Sequence, residues 1–524
     1  MPTLQYNGVD SRPASMGRGL APTCTAPGKK TFGWDRRCRP VSYSRKYAMP
    51  PGPKASLLLG SLRPWLAARR NGALVPWLQE QAQHGEMTTL SMGTKTWVLL
   101  NSERVLNEII AKRAGITHER PYFPIAGGLV SRNHRLFLQK TEQWRGGRRL
   151  LHQLMTGEGS KLHSSLAEEA SLGLLQEYLD EPNAWYAHNY RYPLAIIYRI
   201  VTGTTLQKSR GEMEDLQKVT STFLTSINSS LVDFFPQVSV LPKHLQFWRG
   251  HWEAMGDFHY GVFKHWWLDL KGEHIPESSF VRKTMLGEYT GSDNQAMYIT
   301  LFILTAGSDN PRMTMNAFLM ACIAWPEPIS RMRLELDRIC GTDASRLPGM
   351  EDLVSTPYTS AVIKEVLRWR PTVPLIPQRV LVEDLEFEGY KFPAGTEFLV
   401  NTISVCSHGF DDPASFKPER WLEEKGEKQQ NNNQPPNSGV QHNLWQFAFN
   451  AGRRSCVGYK LAQKEMFVAW SRLVYCFDFS PAGGFDDKEL NAFAPGQPFP
   501  VRVTVRSPAH ERLIRNEAIK CGIW

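Results

Sequence analysis

One cysteine of this chain stands in a setting that suits it to bind a metal. In FAFNAGRRSCVGYKLAQKEM, Phe447 to Met466, Cys456 lies between Gly452 and Gly458, just ahead of a long helical period. The glycines permit a tight loop with positive φ. A helix N-terminus after such a loop aims unpaired N–H groups at the sulfur and favours its anionic form. A thiolate held this way is a soft ligand for iron, and Arg454 beside it suits an acidic group on whatever is bound. A buried structural cysteine in a glycine-rich turn has the same local sequence, so this segment alone leaves both readings open.

A second stretch raises a question of chemistry. TAGSDNPRM, Thr305 to Met313, interrupts an apolar run that extends from Met297 to Trp325. The apolar period resumes after Arg312, which predicts one deformed helix rather than two joined at Asn310–Pro311.

Taken together, Phe449, Gly452, Arg454, Cys456 and Gly458 resemble the haem-binding signature FxxGxRxCxG of the cytochrome P450 superfamily, with all five positions filled. Further matches lie upstream in the family's order. Glu365 and Arg368 in KEVLRWRP resemble its ExxR pair, and FKPERW, Phe416 to Trp421, resembles its PERF box and supplies Arg420. The resemblance implies a buried network of these three charges that braces the haem loop. Spacing of three puts Glu365 and Arg368 on one helix face, and buried charges must be paired. Trp144 and Arg148 resemble the WxxxR of the family's C helix, which meets a haem propionate. Arg379, in PLIPQRV, and Arg454 match two more propionate-binding positions, while Gln378 stands where relatives often carry histidine. Three arginines against two carboxylates make sound electrostatics.

TAGSDNPRM in turn resembles the oxygen-binding groove of the family's I helix, (A/G)GxDT(T/S). By that resemblance Ala306 and Gly307 are the small residues that leave room for O2, and Asp309 is the acidic proton relay. Asn310 stands where most members place threonine; it keeps an amide donor but lacks the hydroxyl. Pro311 replaces another common hydroxyl and removes a backbone N–H.

The family implies a mainly α fold with small β-sheets, with haem b between the I and L helices and Cys456 as its axial ligand. It implies a monooxygenase that uses O2 and takes electrons from NADPH and flavins through a partner NADPH-cytochrome P450 reductase. Arg453, Lys460 and Lys464 would form the basic docking face for that partner. Alignment to the family suggests substrate walls at Tyr122, Phe123, Phe223, Leu375, Ile376 and Phe493, an apolar pocket for a lipophilic small molecule. The closing FPVRVTVRSPAHERLI and the AGSDNPR run look most like fungal microsomal members of specialised metabolism, of the O-methylsterigmatocystin oxidoreductase type. An endoplasmic reticulum membrane surface is the location this implies. A haem-thiolate isomerase or dehydratase that needs no external electrons, and a non-catalytic haem-binding relative, share the same signature.

These residues need a large scaffold, and the composition supplies one. A chain of 524 residues with 42% hydrophobic content can bury an extensive core. Eight cysteines at 24, 38, 322, 340, 406, 456, 476 and 521 show no CxxC pair or zinc spacing, which points to reduced thiols. The net charge of +10 sits mostly in the first 50 residues, where nine Lys/Arg face two Asp/Glu. The remainder is nearly balanced and lacks a nucleic-acid reader motif, so no nucleic-acid role is expected. No apolar run reaches the roughly 18 residues of a membrane span, although fungal relatives begin with one.

Residues 1–47 read as a disordered basic arm before the elbow at Pro50, Pro51 and Pro53, residues 48–510 as the catalytic domain, and 511–524 as a tail. The polar segment 424–441 reads as a disordered insertion. A hairpin is expected at 88–100. Helices are expected at 102–113, 137–155, 162–180, 192–203, 212–228, 246–271, 293–325, 329–340, 357–370 and 457–475. Short strands are expected near 378–381, 384–391, 397–400 and 501–505.

Overall fold

The apolar run around TAGSDNPRM folds as one rod. The computed structural model describes residues 47–54, 56, 59–156, 160, 162–422, 448–484 and 499–522. Most of the basic arm, the 424–441 insertion and Phe493 lie outside these residues. The longer helices are α1 (Leu62–Arg70), α2 (Leu74–Ala82), α3 (Thr141–Thr156), α4 (His163–Asp180), α5 (Trp185–Thr202) and α6 (Arg210–Ser226). They continue as α7 (Arg249–Leu270), α8 (Asp293–Ala324), α9 (Pro326–Cys340), α10 (Pro357–Trp369), α11 (Tyr459–Cys476) and α12 (Pro508–Lys520).

The central rod is α8. Ser292 caps it by accepting a bond from the Gln295 N–H, Asp293 complements the first turn, and Pro326 opens the next helix. Pro311 lies inside it without ending it. The proline denies the Gly307 carbonyl its usual donor. Side chains bond into the same stretch of ladder: Ser308 Oγ donates to the Leu304 carbonyl at 2.8 Å and Thr314 Oγ1 to that of Asn310 at 2.9 Å.

Burial of α8 is nearly all-round, as the apolar runs on both sides of TAGSDNPRM require. Helix α5 lies along one side, and α11 meets another through Phe318 and Trp470, whose rings stack at 4.3 Å. Helix α4 lies against α11.

A smaller core sits under a four-stranded sheet in the order β1 (Met87–Met92), β2 (Lys95–Leu100), β6 (Glu397–Asn401), β3 (Leu375–Val380). β1–β2 is the expected hairpin, and β2 pairs parallel with β6, with Trp97 opposite Glu397. The Trp97 indole donates to that glutamate at 2.8 Å, which fixes the register across 300 residues.

Several expectations are corrected. Segment 384–391 is two strands, β4 (Leu385–Phe387) and β5 (Tyr390–Phe392), because Glu388 and Gly389 both turn to positive φ and make a tight hairpin turn. The strand expected at 378–381 begins at Leu375. The helix expected at 102–113 is a short α turn that widens into a π turn at Asn107–Ala111. Helix α5 starts at Trp185, with Pro193 inside it. Helices α1 and α2 were not anticipated. The supposed tail is largely α12, which buries His510, Leu513, Ile514 and Ala518 and packs on α4. Its apolar stripe is narrow among charged residues, so composition concealed it. The last sheet pairs β7 (Phe477–Pro481) with β8 (Val501–Val505). Among the described residues no helix is long and apolar enough to cross a membrane.

Candidate functional site

The cysteine loop is built against the π turn. Gly452 has φ +68°, and a Cβ there would come within 2.5 Å of the Ile110 carbonyl oxygen, so conformation and space both demand glycine. Asn450 also takes positive φ, and its Oδ1 accepts from the Ala451 N–H at 2.7 Å. The Phe449 carbonyl accepts from the Cys456 N–H at 2.8 Å, closing the loop. Gly458 differs from expectation: its φ is −86°, so positive φ is not its reason. A Cβ there would lie 3.9 Å from the sulfur, and its N–H bonds the sulfur instead.

Cys456 remains exposed on one side. Burial of the loop nonetheless pushes its thiol up, against the Gly458 N–H and Arg148, which favour the thiolate. The expected helix-end preference for the anion is therefore outweighed, and a metal must displace a proton to bind here.

Above this loop the protein accumulates positive charge. Arg379 and Arg120 are each 2% exposed, and Arg454 is 8% exposed. Arg454 Nε donates to the His118 carbonyl at 2.9 Å and Nη2 to that of Gln139 at 3.0 Å, while its Nη1 is buried without a partner. Arg379 Nε and Nη2 are buried without partners as well. Burial first, then the charges of Arg454 and Arg148, press Arg379 down to about 9. Arg120 is pushed down by burial and by Arg379 and Arg454. It is anchored by the Pro377 carbonyl and by that of Gln378 at 2.5 Å. Trp144 underlies the group, with the Arg454 guanidinium 4.4 Å and that of Arg148 5.7 Å from its ring centre.

The acid in this group, Glu119, accepts the backbone N–H groups of Arg120 and Thr141. Several buried cations with unused donors and one acid form an unfinished site, because an unpaired buried charge is costly. A dianionic ligand completes it. Haem fits, with two propionates for the arginines and an iron for Cys456.

Arg120 was missed in the sequence because it sits in HERPYFP, where no spacing marks it. Gln378 is fully buried and turned from this cluster. It exchanges both amide bonds with Asn228, at 2.9 and 3.1 Å.

The three-charge network is present and larger than expected. Arg368 grips Glu365 with Nε at 2.9 Å and Nη2 at 2.7 Å, and Arg420 Nε adds a contact at 3.3 Å. The Lys417 N–H and the Trp421 indole donate to the same carboxylate at 2.8 and 2.9 Å. Arg368 also reaches the carbonyls of Pro413 and Ser415, so every buried charge has partners. The bond from Trp421, the last residue of the PERF-like box, is a contact the sequence did not signal.

On α8, Asn310 is exposed and its Nδ2 donates to the Ala306 carbonyl at 3.2 Å, so these two form one face. Gly307 belongs to another: a Cβ there would come within 2.8 Å of Ile197 on α5, so its lost side chain serves helix packing. Asp309 is not a free acid. It is 2% exposed and paired with Arg312 on the same helix at 2.8 Å, and Arg312 reaches the Tyr186 hydroxyl at 2.6 Å. Burial pushes Asp309 up and Arg312 opposes it. The candidate relay is thus a sealed ion pair. Glu465, on α11, is a further buried carboxyl whose Oε1 has no partner, and burial pushes it up to about 8.

The proposed pocket residues do not form one group. Phe123 and Phe223 share a cluster with Ile125, Val130 and Leu138. Leu375 and Ile376 alternate on β3 and pack into two other clusters, and Tyr122 is 55% exposed.

Comparison with known proteins identifies the family. Residues 50–497 match the family model described as Cytochrome P450. The chain is 27% identical to the cytochrome P450 monooxygenase fogE of Aspergillus ruber, with 89% of each chain covered. It is 28% identical to the cytochrome P450 monooxygenase astF of Aspergillus oryzae, covering 83% of this chain and 80% of that one. Among solved structures, a zebra fish cytochrome P450 with abiraterone aligns at a TM-score of 0.64 and 20% identity, over 83% of this chain and 99% of that one. A match of that length, on a chain whose buried arginines and open cysteine suit haem, has one meaning: the chain belongs to the cytochrome P450 family of haem-thiolate oxidoreductases.

Proposed function

We propose that this protein oxygenates a lipophilic small molecule in a fungal biosynthetic pathway, with electrons from an NADPH-dependent flavoprotein reductase. The observation that carries the reading is the cluster of Arg120, Arg379 and Arg454, buried with unused donors beside the Cys456 loop. Cys456 would hold the iron, and the arginines with Trp144 and Arg148 would hold the propionates. Haem bound to a thiolate supplies the oxidising chemistry with O2.

The chain's own part is orientation and proton handling. Asn310 bonds the Ala306 carbonyl one turn back and lies exposed on that face, whereas Asp309 is buried and held by Arg312, so it braces the helix rather than relaying protons. Exposed Arg453 and Lys460 flank the loop and suit an acidic reductase surface.

Purified protein should give the reduced-CO Soret band of a thiolate-bound haem, and form product only with NADPH and reductase. Product made from an oxygenated substrate without them would favour the isomerase or dehydratase instead. Asn310→Ala should lower product formed per NADPH, because it removes an exposed polar side chain from the Ala306 face and frees the Ala306 carbonyl that its amide holds. Asn310→Thr should keep or raise it. An unchanged Asn310→Ala would make this residue a bystander.

We also propose attachment to the membrane surface. Between α6 and α7 the chain exposes Val240 (84%), Leu245 (53%) and Phe247 (89%) beside Lys243. Apolar tips next to a cation suit the lipid interface. Phe247→Glu should reduce sedimentation with anionic phospholipid vesicles; equal binding would move the contact elsewhere.

A further inference from the structure

Arg135, just before the turn at Leu136–Leu138, is 3% exposed and forms no ion pair or side-chain hydrogen bond among the described residues. Its guanidinium lies 3.9 Å from the ring centre of Phe223 on α6 and 5.4 Å from that of Phe263 on α7. Ring contacts of this kind offset only part of the cost of burying an ion. Two more polar atoms close to this guanidinium are buried without partners, Tyr298 Oη on α8 and His259 Nδ1 on α7. Tyr298 packs edge-on against Phe263 at 5.3 Å.

His259 adds no charge. Thr222 gives its hydroxyl proton to the Lys218 carbonyl at 2.6 Å, so it accepts from His259 Nε2 at 2.7 Å and leaves Nδ1 a bare acceptor. Burial and Arg135 push this imidazole down to about 3. Burial lowers Arg135 only to about 10, so it stays cationic at neutral pH. The acid on the same helix, Asp257, is taken at the surface by Arg132 at 2.6 Å.

This cluster adjoins two of the proposed substrate-wall residues. Phe223 belongs to the apolar cluster with Phe123, Ile125 and Leu138. Tyr298, Phe302, Ala306 and Asn310 recur every fourth residue on α8. Tyr298 is eight residues from Ala306, about 12 Å along the helix.

We propose that Arg135 anchors a carboxylate of the substrate, with Tyr298 Oη donating a second bond, so that the molecule oxidised is an elongated apolar acid whose reacting end lies at Ala306 and Asn310. The inference rests on the haem-thiolate reading above and narrows its substrate class.

The test titrates the holoprotein with imidazole-terminated alkanoic acids of graded length and with the matching alcohols. The imidazole binds the iron and reports by a red-shifted Soret band. At a length that spans about 12 Å, the acid should bind at least about tenfold tighter than the alcohol, as a charge-assisted bond requires. Arg135→Gln should erase that preference, and Tyr298→Phe should reduce it. The acid should also raise the thermal midpoint of the wild type but not of Arg135→Gln. No preference at any length in the wild type, or full preference retained in a folded Arg135→Gln, overturns the anchor. If Arg135→Gln does not fold, the wild-type acid-to-alcohol ratio decides alone. Phenylimidazole separates the two readings. A Soret shift with it and no acid preference sinks only the anchor, whereas no shift and no reduced-CO band sinks the haem-thiolate reading.

Discussion

Glu365→Ala is expected to yield no haem-loaded protein, seen as loss of the reduced-CO Soret band together with loss of soluble chain. The carboxylate accepts from Arg368 twice, from the Lys417 N–H, from the Trp421 indole and from Arg420, all with no exposure of its own. Removing it leaves Arg368 and its neighbours as buried donors. Breaking a buried pair costs about 3–5 kcal/mol, and each orphaned donor adds about 1–3. A whole domain holds only about 5–15 kcal/mol, so the sum reaches the scale of folding itself. Glu365→Gln keeps two acceptor lone pairs without charge and should fall between. A Glu365→Ala protein with normal yield and spectrum would show that these bonds contribute little.

Glu465→Gln should change how stability depends on pH. In the unfolded chain this acid loses its proton near 4.5, and in the fold, where burial opposes charge, near about 8. Between those values the folded protein holds a proton that the unfolded chain gives up. Stability therefore falls as pH rises through this window, and the loss is complete above its upper edge. Every tenfold difference in proton affinity between fold and unfolded chain is about 1.4 kcal/mol. Glutamine should therefore raise stability by a few kcal/mol at the alkaline end and hardly at all in acid. Urea unfolding of the holoprotein at both ends of the window checks this. Parallel pH profiles for the two proteins would place the slope elsewhere.

What could be read from the chain beforehand was the chemistry that depends on short spacing. Cys456 with its glycines, and Glu365 with Arg368, carry their geometry within a few residues, so the loop and the helix pair were legible. The long apolar period of α8 outweighed Pro311, and it did so because helices packed on several sides hold the rod. What escaped notice comes from far apart. Arg120 meets Gln378 across 258 residues, and Arg135 meets Phe223 and Phe263 from two other helices. The Asp309–Arg312 pair was within reach, three residues apart, but the family pattern drew attention to the acid alone. Gly307 and Gly458 show a similar limit: sequence marks a glycine, and only the fold says which neighbour it admits.

The last helix sets an order of events during synthesis. Helix α4 emerges from the ribosome early, yet α12, which covers part of it with Leu513 and Ile514, follows roughly 330 residues later. At about 5–20 residues per second that interval is on the order of tens of seconds. For that time the nascent chain shows apolar surface that it will later hide, which makes this the period when chaperones have the most to hold.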